Sequence, residues 1–179
     1  MLVVGVVGSP NTGGRTRVAV DAVLHGAAEQ GAGTRVLELA EFTHDDVLDA
    51  LGAADAAVFG SPTYRADIAA QLKALLDATP RGMPYEKGDP LRGTTCATVL
   101  TGASDHHFLA VEKVRGILGG FFGAQLLSPG LYLPAAAFTD STRLGDDARE
   151  LAGAHGRALV ELATAVRAST WLRGLRPLI

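Results

Sequence analysis

The first sixteen residues constrain the fold of this chain more than any other segment. An apolar run over residues 3–8 leads directly into the sequence SPNTGGRT of residues 9–16. This pattern predicts a buried strand, then a turn of small and polar residues, then a helix. Backbone N–H groups at such a helix start bind phosphate, and Arg15 adds positive charge there. Hydroxyl donors come from Ser9, Thr12 and Thr16. The segment therefore predicts a site for one terminal phosphate.

Two better-known phosphate motifs do not match this turn. A Walker loop needs a lysine after its second conserved glycine position, and Gly13 is followed here by Gly14 and Arg15. A dinucleotide fingerprint needs Gly-x-Gly-x-x-Gly, and residues 5–8 read GVVG. The sequence thus disfavours ATP or GTP hydrolysis and a dinucleotide site of that type. An ordinary surface turn, with small residues that are merely permissive, stays open as an alternative.

Length and charge exclude several classes of protein. A chain of 179 residues suits a single domain, which we expect over residues 1–167, with 168–179 as a C-terminal tail available for oligomer contacts. The net charge of −3 lacks the basic footprint of nucleic-acid binding. Cys96 is the single cysteine, so no intramolecular disulfide, CxxC pair or cysteine-based zinc cluster is possible, and we predict no metal site. No signal peptide or membrane-spanning run is evident, which favours the cytoplasm and no membrane partner.

Apolar strand patterns alternate with helical patterns along the chain. Strands are predicted over 3–8, 34–39, 56–60, 94–100 and 125–133. Helices are predicted over 17–30, 45–51, 68–78, 107–121 and 146–167. Strands that read as continuous Val, Leu and Ala runs are covered on both faces. We therefore expect an α/β fold: a doubly wound, five-stranded parallel sheet of flavodoxin type, order 2-1-3-4-5, with helices on both faces.

Three loops of this predicted sheet are small and polar. In such a sheet, ligands bind outside the carboxyl ends of the strands, so the loops after strands 1, 3 and 4 should face one crevice. The loop after strand 3 reads GSPTYR over residues 60–65, and that after strand 4 reads LTGASDHH over 100–107. Tyr64 beside Arg65 offers an aromatic face next to a positive charge, which can flank a planar heterocycle. Tyr64 and Arg65 could equally be a solvated pair that starts a helix.

Three segments resemble the NADPH-dependent FMN reductase family. They are GSPNTGGRT, SPTYRADIAAQLKALLD and LTGASDHHFLAVEKVRGIL. The resemblance runs from Met1 to about Thr139 and is strongest to the subgroup that supplies reduced flavin to two-component monooxygenases of sulfonate or sulfur metabolism. The residues from Arg143 onward match no motif of the family.

This resemblance implies which residues bind FMN. The first loop would hold the phosphate through Ser9, Arg15 and Thr16, the second the ribityl chain and ring edge, and the third the isoalloxazine ring. The full predicted set is Ser9, Asn11, Thr12, Gly14, Arg15, Thr16, Pro62, Thr63, Tyr64, Arg65, Thr101, Gly102, Ala103, Ser104 and His107. Asn11 stands where the subgroup often has a basic residue and Gly14 where it often has serine, and both differences weaken the grip on phosphate.

The implied reaction is hydride transfer from NADPH or NADH to FMN. The cofactor performs that chemistry, so we predict no catalytic acid, base or nucleophile. The reduced flavin would pass to a partner flavin-dependent monooxygenase. Two alternatives stay open: a quinone or azo reductase with tightly bound FMN, and a flavin-binding electron carrier that is not an enzyme. The predicted helix 107–121 is apolar on more than one face, which favours a homodimer or homotetramer, although the C-terminal helix or tail could cover it instead.

Overall fold

The computed structural model describes residues 1–177 of the chain; the last two residues of the predicted tail, Leu178 and Ile179, lie outside the described part. Nine strands are present in this part: β1 (Leu2–Val7), β2 (Gly33–Glu38), β3 (Ala56–Tyr64), β4 (Asp67–Ile68), β5 (Thr95–Gly102), β6 (Gln125–Leu126), β7 (Leu131–Pro134), β8 (Phe138–Asp140) and β9 (Arg143–Leu144). The α-helices are α1 (Arg15–Glu29), α2 (His44–Gly52), α3 (Ala70–Ala78), α4 (Val111–Arg115), α5 (Asp146–Ala168) and α6 (Thr170–Gly174). None of the helices in residues 1–177 has the length and hydropathy that a membrane span requires.

The central sheet is parallel and confirms the predicted fold class. Its strand order is β2-β1-β3-β5-β6, and β7 continues the edge position of β6 beside β5. The fifth predicted strand is thus two short strands, separated by residues 127–130. In the numbering of the prediction, this is the expected order 2-1-3-4-5. The added strand β4 pairs antiparallel with the end of β3 and forms a hairpin.

Side chains of β1 alternate between two cores. Val4 and Val6 belong to the core under α2, α3 and α4, whereas Val3 and Val7 belong to the core under α1 and α5. Gly5 lies on the second face, where a Cβ would come within 2.7 Å of Val20 on α1. The glycine therefore lets α1 pack directly on the strand that leads into the predicted phosphate turn. Covering a strand on both faces explains why its sequence is apolar throughout.

The helices α1 and α5 touch through their backbones. A Cβ on Gly26 of α1 would overlap the backbone of Gly153, and a Cβ on Gly156 would overlap the backbone at Val23. Contacts this close are possible only where the approaching residue has no Cβ. The helix α5 therefore braces the helix whose N-terminus faces the predicted phosphate site.

Two helical predictions need correction. The segment predicted as one helix over 107–121 consists of a 3-10 turn (Asp105–Ala110), the short α4, and a π-helical turn (Gly116–Phe121). His107 has φ −113° and ψ 22°, which interrupts helical geometry near the start. The helix predicted from residue 68 begins at Ala70, because residues 63–68 form the hairpin instead.

Candidate flavin site

The ends of β1, β3 and β5 lie side by side at the carboxyl edge of the sheet. Gly8 N–H donates to the carbonyl oxygen of Gly60 at 2.8 Å, which joins the ends of β1 and β3. The hydroxyl oxygens of Thr16 and Thr101 are 2.8 Å apart, which joins the first and third loops. The three loops singled out in the sequence are therefore neighbours. One of the two threonine hydroxyl protons serves this bond, and the other stays available to a ligand.

The helix α1 begins without a side-chain cap. Gly14 occupies the N-cap position, no side chain accepts a hydrogen bond from the first turn, and no acidic residue lies in that turn. A Cβ on Gly14 would meet no heavy atom within 4 Å. The N–H groups at the positive dipole end of this 15-residue helix thus have no side-chain partner within residues 1–177. This arrangement suits an anion at the start of α1.

Arg15 has no carboxylate partner within residues 1–177. Its side chain is exposed, and its Cζ lies 5.6 Å from the ring centroid of Phe138. The next arginine differs: Arg17 contacts Asp21 and Glu38, each at 2.7 Å. Arg15 is therefore the guanidinium of this turn that can give its charge to a ligand.

The remaining residues of the first turn are placed around this helix start. Ser9 is buried, and its Oγ accepts the Asn11 N–H at 3.2 Å. Asn11 and Thr12 are exposed. The Ser9 hydroxyl therefore shapes the turn and retains its own proton for donation.

Glu38 is a residue of this site that the sequence analysis missed. It is buried at the end of β2, where its Oε2 accepts the Gly13 N–H at 3.0 Å and its Oε1 accepts from Arg17 at 2.7 Å. Gly13 has φ +66°, a conformation that glycine adopts without strain. Glu38 thus fixes the middle of the phosphate turn from the neighbouring strand. An acid at the end of a strand next to the turn is the signal that could have indicated it.

The second loop is a β-hairpin rather than the start of a helix. The strand β3 continues through Pro62 and Thr63, both half-buried, to the exposed residues Tyr64 and Arg65. The Thr63 Oγ1 is buried and lies near the Tyr132 hydroxyl, with which it makes no well-aligned hydrogen bond. Its hydroxyl proton can therefore be donated to a ligand atom at this position.

The third loop is fixed by Tyr132, which the sequence analysis also missed. Its hydroxyl donates to the carbonyl oxygen of Ser104 at 2.8 Å, and burial raises its pKa. A Cβ on Gly102 would overlap that hydroxyl. Thr101 is buried, Gly102 and Ser104 are half-buried, and Ala103 is exposed. A glycine at position 102 is thus required by the contact with Tyr132.

His107 is exposed, and no hydrogen bond fixes its ring within the described chain. Its neighbour His106 makes the local contact instead, with Nδ1 3.2 Å from the Ser104 Oγ. The role of His107 in binding a flavin therefore stays a prediction.

The donors at this site fit a flavin mononucleotide. The uncapped start of α1 and the unpaired Arg15 suit a dianionic phosphate, and the Thr63 hydroxyl can donate to a polar ribityl or ring-edge atom. No group of three His, Cys, Asp or Glu side chains in residues 1–177 is arranged to hold a metal ion. Burial raises the pKa of the Cys96 thiol to about 12, so this thiol stays protonated.

Comparison with known proteins identifies the family. A family model described as NADPH-dependent FMN reductase matches residues 1–138. The chain belongs to this family. It is 34% identical over 91 residues to the NADH-dependent FMN reductase SfnF of Pseudomonas putida, a match that covers 51% of this chain and 45% of that protein. It is 31% identical over 125 residues to an iron-sulfur flavoprotein of Methanocaldococcus jannaschii, covering 58% of this chain and 63% of the relative.

The matched segments thus span about half to two thirds of these relatives. One cysteine is too few for the cysteine ligands of an iron–sulfur cluster, so the likeness to the second relative concerns its flavoprotein character. The fold of this family member is also that of an NADH:FMN oxidoreductase solved in its apo form. The two superpose with a TM-score of 0.78 at 20% identity, over 97% of this chain and 94% of that one.

Proposed function

We propose that the protein is an NAD(P)H-dependent FMN reductase whose flavin lies across the three loops at the carboxyl edge of the sheet. The open start of α1, with Arg15 free of any carboxylate in the described chain, is the observation that carries the proposal. Arg15, the N–H groups after Gly14 and the Thr16 hydroxyl would bind the phosphate. Membership of the FMN reductase family supports the same reaction.

The other loops orient the rest of the flavin. Pro62, Thr63, Tyr64 and Arg65 would flank the ribityl chain and ring edge. Thr101, Gly102, Ala103 and Ser104 would bring backbone N–H groups to the isoalloxazine. Bound FMN would supply the hydride-accepting ring, and these loops would orient it toward the nicotinamide. Hydride transfer to FMN would require no side chain of this site to move a proton.

We further infer that the flavin leaves after reduction and serves a flavin-dependent monooxygenase in the cytoplasm. Asn11 and Gly14 give the phosphate no charge, so its binding rests mainly on Arg15 and the helix start. A moderate affinity for FMN suits a flavin that is a substrate. Persistence of yellow colour through gel filtration would instead favour a tightly bound prosthetic group, as in a quinone or azo reductase.

The direct test mixes purified protein with FMN and either NADPH or NADH and follows the loss of nicotinamide absorbance. Oxidation well above the rate without protein is expected with FMN for at least one nicotinamide. If neither FMN nor FAD supports oxidation above background, the reductase assignment is wrong. The comparison of NADPH with NADH in the same assay decides the nicotinamide preference.

We also infer that copies of the chain pair through the segment 105–121 as homodimers or homotetramers. Phe108, Leu109 and Phe121 in this segment are 56%, 64% and 45% exposed. Phe121 also lines a groove of about 800 Å³ between α3, the loop 79–94 and residues 112–122. Exposed large apolar side chains concentrated in one segment favour an interface there.

The test compares Leu109→Glu with Leu151→Glu, which alters an exposed leucine on α5. Sedimentation should show dissociation for the first variant only. A monomeric wild type would contradict the inference.

A further inference from the structure

The hairpin of the second loop turns through two residues in a conformation that disfavours side chains. Tyr64 pairs with Asp67, which leaves Arg65 and Ala66 as a two-residue turn. Their φ angles are +51° and +63°. Two-residue hairpin turns of this kind usually contain Asn and Gly, because a Cβ crowds the backbone when φ is positive. This turn therefore needs support from elsewhere in the protein.

Two contacts outside the turn supply that support. At the base of the hairpin, the Ser61 Oγ accepts the Ala69 N–H at 2.9 Å and donates to the Pro62 carbonyl oxygen at 2.8 Å. At the tip, the Asp67 Oδ2 accepts from Lys113 Nζ at 2.8 Å. Lys113 lies on α4, 46 residues further along the chain.

We propose that Lys113 is a positioning residue, which holds the strained hairpin through Asp67 so that Tyr64 and Arg65 face the flavin ring and ribityl chain. The inference rests on the proposed function, because it assigns Lys113 a role in binding that same flavin. The hydrogen bond from Lys113 lowers the pKa of Asp67, and the Ile68 N–H adds to this, so the carboxylate stays charged and able to bind the lysine.

A second lysine provides the matched control. Lys73 is as exposed as Lys113, at 51% for each side chain, and it also lies near Asp67. Its ion pair, however, is with Asp77 on its own helix. Removal of Lys73 therefore changes the local charge without releasing the hairpin.

The experiment measures the affinity of Lys113→Met and Lys73→Met for FMN and for riboflavin by quenching of flavin fluorescence. An exposed ion pair contributes little free energy, so Lys113→Met should weaken both flavins by about three- to fivefold. Both should weaken equally, because the hairpin contacts parts that the two flavins share. Lys73→Met should leave both affinities unchanged. Thermal unfolding of each variant checks that the fold is intact.

A second substitution separates positioning from general stability. Ala66→Gly removes the Cβ that opposes the turn, so in the Lys113→Met background it should restore most of the lost affinity. Unchanged binding in Lys113→Met, or no recovery with Ala66→Gly, would overturn the role of Lys113. A loss confined to FMN would overturn it as well, since it would indicate a charge effect on the phosphate. Failure of the wild type to bind any flavin would overturn the proposed function together with this inference.

Discussion

The helices α1 and α2 begin at the same edge of the sheet, but they differ in how the N–H groups of their first turns are satisfied. At the start of α2, the Thr43 Oγ1 accepts the Asp46 N–H at 3.2 Å, and the Asp46 Oδ2 accepts the Thr43 N–H at 3.1 Å. Asp45 and Asp46 add negative charge to that first turn. The start of α1 has Gly14 instead, with neither a side-chain cap nor an acid. The protein therefore satisfies one helix start internally and leaves the other to a ligand.

The two arginines next to the open start show the same contrast on a smaller scale. Partial burial acts to lower the pKa of Arg17, but the hydrogen bonds that it donates to Glu38 and Asp21 outweigh this and raise the pKa. Arg15 contacts the Phe138 ring and no carboxylate of the described chain. Arg17, whose charge is already neutralised, shapes the turn, whereas the unpaired charge of Arg15 can bind a phosphate.

The largest expected effect comes from giving α1 the kind of start that α2 has. Gly14→Asp places a carboxylate at the N-cap, where the space around the Cβ is open. Repulsion between this carboxylate and the phosphate should weaken FMN binding by about 100-fold or more. The same carboxylate should raise the stability of the free protein by about 0.5 kcal/mol through capping and the helix dipole. Flavin titration and urea unfolding measure the two effects.

The control for this variant is Gly33→Asp, which adds the same charge at the opposite edge of the sheet. It should leave FMN binding unchanged. Equal losses for the two variants would mean that net charge, rather than the start of α1, governs binding.

The next largest effect is expected for Arg15→Ala. Loss of a charge-assisted contact to phosphate should weaken FMN binding by about 10- to 100-fold. Riboflavin lacks the phosphate, so its affinity should change little. Arg35→Ala is the matched control, because Arg35 is also an exposed arginine but lies near the start of α2, where it lowers the pKa of Asp46. If FMN and riboflavin weaken equally in Arg15→Ala, the phosphate role of Arg15 is excluded.

A smaller effect, on stability alone, is expected for Thr43→Ala. This change removes the cap of α2 and should cost about 1 kcal/mol in the free energy of unfolding, measured by urea denaturation. FMN affinity should stay at the wild-type value, because α2 already satisfies its own start. A loss of FMN affinity would show that both helix starts belong to the site.

The smallest effect concerns acid stability. The hydrogen bonds from the Thr43 hydroxyl and backbone lower the pKa of Asp46 below its ordinary value of 3.8. Charged Asp46 therefore stabilises the fold above that ordinary value, and the contribution disappears as the pH falls through the lowered pKa. In urea titrations between about pH 3 and 6, the stability difference between wild type and Asp46→Asn should shrink toward the acid end. A constant difference would contradict this assignment.

The fold could be predicted because its signals are local. Continuous apolar strands, such as residues 56–60, indicate burial on both faces, and their alternation with helices leaves few arrangements. The predicted boundaries of helices and strands were wrong where contacts between distant residues determine them. The hairpin beyond Gly60 is supported by Lys113, and the fifth strand divides into β6 and β7.

The residues of the candidate site also fall into those that the sequence indicates and those that only the structure shows. Motif residues such as Arg15 and Tyr64 are visible in the sequence because they follow strands in short polar loops. Glu38 and Tyr132 act from neighbouring strands, 25 residues from Gly13 and 28 from Ser104. Nothing in their own sequence surroundings shows which backbone group they bind, so they require the structure.

The glycine contacts between α1 and α5 have a consequence for how this protein can be altered. The family match ends at residue 138, yet the seam formed by Gly26, Gly153 and Gly156 lies partly beyond it. A chimera cut at the end of the homologous region would carry every loop of the flavin site. It would lack α5, the helix against which α1 packs. Loop grafting or randomisation should therefore retain residues 146–168 and spare these three glycines.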